Sequence, residues 1–310
     1  MRPDEWWKNF ALGLELDASG AFIYNGIKYL DSLEGLNHSI DIFEVLYNLS
    51  VGIERLLKVS IILIEHDDQM PIEEFEESLI SHNTMELASR VQKSADLGLS
   101  GVHNEFLSLL SKFYKSHRYG RYSLSVVPNI EMEKDLFLAY LNKHLNIKIP
   151  GPGPFSYIHN TPQIKKFIGK VAGRISRNIF KVIQEQARSL NIYTYELRGD
   201  SKAVKVFYSL DERLDFLDEE IAKKELILFL ISKSVKNEHV DLLRSFGTLD
   251  LDPAETPDYI KALMNDVHMY SPRDEVECAY EEVENVSERL EQLTLLTQYI
   301  SFDEESDSSD

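Results

Sequence analysis

The chain carries one cysteine, Cys278, so no intramolecular disulfide can form, and a reducing compartment fits. Cys278 sits among Glu275, Glu277, Glu281 and Glu282. Their charge disfavours a thiolate, which makes Cys278 a poor nucleophile. No glycine loop followed by Lys-Ser or Lys-Thr occurs, and no Gly-x-Ser-x-Gly elbow. Gly151 and Gly153 lie between prolines, which withhold the backbone donors an anion nest needs. Long apolar runs are missing as well. The most apolar stretch, Val51 to Ile64, is interrupted by Glu54, Arg55 and Lys58 and falls short of the ~20 residues of a membrane span. The opening Met1-Arg2-Pro3-Asp4-Glu5-Trp6-Trp7 places acids where a signal peptide needs an apolar segment. A soluble cytoplasmic protein, off the membrane, is the expectation. His66-Asp67-Asp68 has no second ligand cluster to complete a metal site, and it is expected to end a helix in solvent. Neither a metal nor a cofactor is expected.

What is present is helical. The chain has 310 residues, 43% hydrophobic and 27% charged, enough to bury a core without staples. Phe43, Leu46, Ile53, Leu57, Ile61 and Ile64 recur at helical spacing over 40–66, and the apolar circumference suggests the centre of a bundle. Glu54 and Lys58 form a favourable i,i+4 pair there. Further helices are read at 83–97, 102–117, 131–146, 162–190, 217–236, 238–246, 257–270 and 274–300. Ser81 or Asn83 suits the cap of the first of these, and Thr161 followed by Pro162 suits the start of the 162–190 helix. The run Ile149-Pro150-Gly151-Pro152-Gly153-Pro154 cannot be a helix or a central strand, and it marks a domain boundary. The expected division is 1–147, 148–301 and an acidic, serine-rich, disordered tail at 302–310. Residues 192–197 and 202–208 alternate around Arg198-Gly199-Asp200-Ser201, which reads as a β-hairpin turn rather than an adhesion motif.

The net charge of −19 is unevenly spread. Between Phe106 and Gln184 thirteen Lys and Arg face three acids, a net of +10, which leaves −29 for the rest. Within the 162–190 helix Lys166, Lys170, Arg174, Arg177 and Lys181 fall on one stripe about 80° wide. Such a stripe suits a phosphate backbone, which asks for positive charge without base-specific geometry. It equally suits pairing with the acidic remainder of the same chain.

The other cluster is Ser116-His117-Arg118-Tyr119-Gly120-Arg121-Tyr122-Ser123. It can bind a phosphate and move a proton, or it can be a polar turn with packed tyrosines. Gly52-Ile53-Glu54-Arg55-Leu56-Leu57-Lys58 precedes it, as do His82-Asn83-Thr84-Met85-Glu86-Leu87 and Phe106-Leu107-x-Leu109-Leu110. In that order, over residues 40–125, the chain resembles the HEPN superfamily, helical bundles of prokaryotic toxin–antitoxin and antiphage systems. The resemblance implies a HEPN-like bundle, a homodimer, and metal-independent RNA cleavage through an arginine followed, after four to six intervening residues, by a histidine. No arginine here has a histidine at that spacing; His117 precedes Arg118 and Arg121. Superfamily members without the motif are often binding or assembly modules.

The expected protein is therefore mostly α, a HEPN-like bundle followed by a helical region with one β-hairpin. The expected function is RNA or nucleic-acid association in a defence or toxin-type system. If it is a ribonuclease, its catalytic residues are His117, Arg118, Arg121 and Tyr122. The alternative is a non-catalytic module that binds a protein partner.

Overall fold

A computed structural model describes residues 3–67, 72–117, 132–147, 157–192, 197, 201–208, 214, 216–234, 237–264 and 270–297. The chain divides into two compact units, Met1–Phe216 and Leu217–Asp310. The boundary expected at 147/148 lies inside the first unit, and residues 148–156 lie outside the described residues.

The first unit starts with α1 (Pro3–Trp6), a π-helical turn at Trp7–Ala11 and α2 (Leu12–Ser32). Then come α3 (Ser39–Glu65), α4 (Ile72–Ser78), α5 (Thr84–Gln92) and α6 (Gly101–Lys112). A second π-helical turn, Phe113–His117, extends α6 and is followed by α7 (Met132–Leu145), α8 (Pro162–Ser189) and α9 (Lys202–Tyr208). Helix α3 is the axis of the unit and packs against α2, α5, α7 and α8. Its buried residues occupy successive positions, such as Leu56, Leu57, Val59, Ser60 and Ile61, because neighbours cover it on several sides. Gly52 permits a close crossing with α2. A Cβ there would meet Ile23 Cγ1 at 2.6 Å and the Ser19 carbonyl oxygen at 2.9 Å. The Ser19 hydroxyl donates to the Gly52 carbonyl at 2.7 Å across the same gap.

Helix α8 shows how sequence becomes position. The Thr161 side chain accepts from the Ile164 amide, and Pro162 takes the first helical position, where no N–H is needed. Ile164, Ile168, Val171, Ile175, Ile179 and Ile183 bury one face. The entry is fixed by an isolated bridge between Gly35 and His159, and the Asn160 side-chain amide donates to the Leu30 and Leu33 carbonyls at 2.6 and 3.0 Å.

Three expectations need correction. Residues 202–208, read as the second strand of a hairpin, form α9; residues 193–196 and 198–200 lie outside the described residues. Ala203, Val206 and Phe207 are an i, i+3, i+4 set, buried against α2 and α8, with Phe207 stacked on Phe180 at 4.4 Å. Among the described residues there is no strand beyond the single bridge. The helix read over 83–97 ends at Gln92. Finally, the single helix read over 274–300 is interrupted after Tyr280, and a second helix runs over Val286–Thr294.

The second unit comprises α10 (Leu217–Ile231), α11 (Glu238–Ser245), a 3-10 turn at Pro253–Glu255, α12 (Thr256–Met264), α13 (Tyr270–Tyr280) and α14 (Val286–Thr294). Asn285 caps α14 through the Glu288 amide and so separates it from α13. Ala262 is the only buried hydrophobic among its described residues.

Candidate functional site

The most apolar stretch of α3 holds a buried carboxylate. Glu54 is 7% exposed, and burying such a charge requires partners. Lys58, one turn on, donates Nζ to Glu54 Oε1 at 2.8 Å. The His82 ring, just ahead of α5, places Nδ1 at 3.0 and 3.1 Å from the two Glu54 oxygens. A carboxylate only accepts, so Nδ1 carries the proton, and Nε2 is the acceptor of the neutral ring. Asn83, which caps α5 by accepting from the Glu86 amide, fixes the segment that carries His82. The His82 ring stacks on Tyr114 with centroids 4.5 Å apart. Arg55, next along α3, pairs with Glu15 of α2 and lies over the Phe22 ring at 5.8 Å.

These groups line one cleft of about 490 Å³, together with Trp7, Tyr47 and Tyr114. Trp7 and Tyr114 come from the two π-helical turns, and such turns recur at functional sites. The chemistry on hand is an imidazole oriented by a carboxylate, two cations with further N–H donors, and aromatic faces. That set can hold an anion and move a proton.

The sequence reads Glu54 and Lys58 as a favourable i,i+4 pair and His82 only as part of the segment that opens the next helix. The signal was there: two cations and an acid interrupt the most apolar stretch of α3, and unpaired charge does not survive burial.

Of the expected catalytic residues, His117 ends the second π-helical turn, while Arg118, Arg121 and Tyr122 lie outside the described residues, as does the His117 side chain. Tyr114, three residues earlier, lines the cleft. The expected stripe on α8 is gathered on one side of that helix. Lys166, Lys170, Arg174 and Lys181 are exposed and Arg177 is half-buried. None of the five lines the cleft. Burial first, then the nearby Arg174 guanidinium, hold the His103 imidazole below its usual range. Asn178, on α8, donates to the Leu97 carbonyl at 2.7 Å, so the α5–α6 connection is tied to α8.

His66 does not end α3 in solvent. It is 8% exposed, edge-on to Trp7 and Phe75 at 5.3 and 5.1 Å, and its carbonyl accepts from Lys8 Nζ at 2.9 Å. Apolar neighbours on both sides bury it. Among the described residues no group of three His, Cys, Asp or Glu is placed to hold a metal ion. Among them, too, no helix is long and apolar enough to cross a membrane. No family model, curated protein or solved structure matches the chain.

Proposed function

We propose that the protein is an RNA-binding, HEPN-like protein of a prokaryotic defence or toxin-type system, which grips the phosphate backbone along α8 and cleaves RNA without a metal ion. The observation that carries the reading is the solvent-facing row of Lys166, Lys170, Arg174 and Lys181 opposite the buried face of α8. Helix α8 has no acid before Glu185, so within the helix only Lys181, one turn earlier, has an acid at i,i+4 spacing. Lys170→Glu combined with Arg174→Glu should weaken single-stranded RNA binding, and the slope of log affinity against log salt should become shallower by about 1.4. Wild-type protein that fails to bind RNA at low salt removes the reading.

Cleavage is assigned to the segment beyond Tyr114. His117 acts as acid or base, Arg118 or Arg121 stabilises the pentacoordinate phosphate, and Tyr122 belongs to the same sequence cluster. Ribonuclease activity is expected to survive EDTA and to fall about 100-fold or more in His117→Ala or Arg118→Ala. Activity restored only by added divalent metal, or kept in full by both variants, refutes the assignment. A homodimer through the first unit belongs to the same proposal.

One observation favours the alternative, a non-catalytic module for a protein partner. On α10 Leu226, Leu228, Phe229, Leu230 and Ile231 are each more than half exposed, and exposed apolar groups of this kind mark interaction surfaces. Retained RNA binding without cleavage would select that reading.

A further inference from the structure

We propose that the cleft between α2, α3 and the His82 segment binds a nucleoside monophosphate unit, its base against the aromatic lining and its phosphate on Lys58 and Arg55. The inference does not rest on the α8 reading, since none of the α8 cations lines this cleft.

Size is the first argument. A cleft of about 490 Å³ is in the range of pockets that enclose small ligands. Composition is the second. Trp7, Phe22, Tyr47 and Tyr114 supply flat apolar faces, and every nucleobase has a π-face to lay on one. His82 already shows that the Tyr114 ring accepts a planar partner.

Hydrogen-bonding capacity is the third. An ammonium has three N–H groups, and Lys58 gives one to Glu54 at 2.8 Å. A guanidinium has five, and Arg55 directs one nitrogen, Nη1, at Glu15. Both cations therefore keep donors for phosphate oxygens, and the existing pairs hold them in place beforehand. A protonated His82 adds Nε2–H as a donor while Nδ1–H stays on Glu54.

Charge balance sharpens the expectation. Arg55 and Lys58 stand against Glu15 and Glu54, so the cleft is close to neutral and holds a bare phosphate weakly. A bare nucleoside leaves the cation donors unused. Only a ligand with both parts satisfies the site.

The test is calorimetric titration of the full chain with cytidine 5′-monophosphate, cytidine and ribose 5-phosphate. The nucleotide should bind at least about tenfold tighter than either fragment. It should also change the intrinsic fluorescence, because the two tryptophans of the chain are Trp6 and Trp7 and Trp7 lines the cleft. Lys58→Gln and, separately, Arg55→Gln should erase the advantage of nucleotide over nucleoside while the melting transition persists. Arg55 is the safer variant for folding, since it and Glu15 are substantially exposed. Competition by a cytidine trinucleotide would locate the ligand on an RNA strand, and its failure to compete would locate it in the free nucleotide pool; either outcome keeps the proposal. Fragments that bind as tightly as the nucleotide, no saturation at millimolar ligand, or folded variants that both keep the advantage would overturn it. Loss of RNA binding through the α8 double variant would leave all these readings unchanged.

Discussion

Gly20→Leu should destabilise the first unit by about 3 kcal/mol and lower its melting temperature by about 10 °C. Even the Cβ of an alanine at Gly20 would lie 2.3 Å from Ala203 Cβ and 2.4 Å from Ala203 Cα. The obstacle includes backbone, so no rotamer change relieves it, and α9 must move off α2. That movement also unstacks Phe207 from Phe180 and uncovers Val206. Gly101→Ala is the control. A Cβ there meets nothing within 4 Å, at the first position of α6, and the change should leave stability within about 0.5 kcal/mol. Thermal unfolding of the two variants beside wild type decides the matter. Equal melting temperatures for Gly20→Leu and wild type would mean that α9 does not pack on α2 through this contact.

The same contact explains what the sequence conceals. Helices α6 and α8 announce themselves through one apolar face and their N-terminal caps, and α3 through a long run of apolar positions. Helix α2 carries such spacing in Leu12, Leu16, Ile23, Ile27 and Leu30, but glycines break it up. Gly13, Gly20 and Gly26 read as interruptions, yet Gly20 and Gly26 are where Ala203 and Leu49 approach the helix. A residue that weakens a helix in isolation is selected by tertiary packing, and only the neighbour reveals it. Lys202–Tyr208 shows the converse. Val204, Val206 and Tyr208 alternate with other residues as in a strand, but Ala203, Val206 and Phe207 fit the surfaces of α2 and α8 only as a helix. Seven residues satisfy both periods, and long-range contacts choose between them.

The site divides along similar lines. The α8 stripe was legible because its meaning lies in spacing along one helix. The cleft was not, because it joins Glu15, Glu54, His82 and Tyr114 from four separate segments. Local pattern registers each of them only as an isolated polar or aromatic residue. The anomaly that sequence does expose is a charged interruption, Glu54-Arg55 with Lys58, in the otherwise uncharged stretch of α3 from Val51 to Ile64.

That interruption leads to the second large effect. Glu54→Ala should cost about 3 kcal/mol, the scale of removing one partner from a buried ion pair. The Glu54 side chain is 10% exposed and that of Lys58 is 23% exposed, so water replaces the lost carboxylate poorly around the Lys58 ammonium. His82 contributes less to the loss, because its side chain is 48% exposed and its Nδ1–H can turn to solvent. The cost therefore belongs to the stranded cation more than to the missing contact. Removing both charges tests this: Glu54→Leu with Lys58→Met fills the same space without leaving an ion behind, and it should recover most of the loss. Lys58→Met alone should be milder than Glu54→Ala, since Glu54 keeps His82 as a partner. Urea denaturation of the single and double variants supplies the cycle, and the coupling between the two sites should exceed about 1 kcal/mol. If the two single losses simply added, the pair would be acting as two independent surface charges, and the view of Glu54 as a buried organiser of the cleft would be wrong.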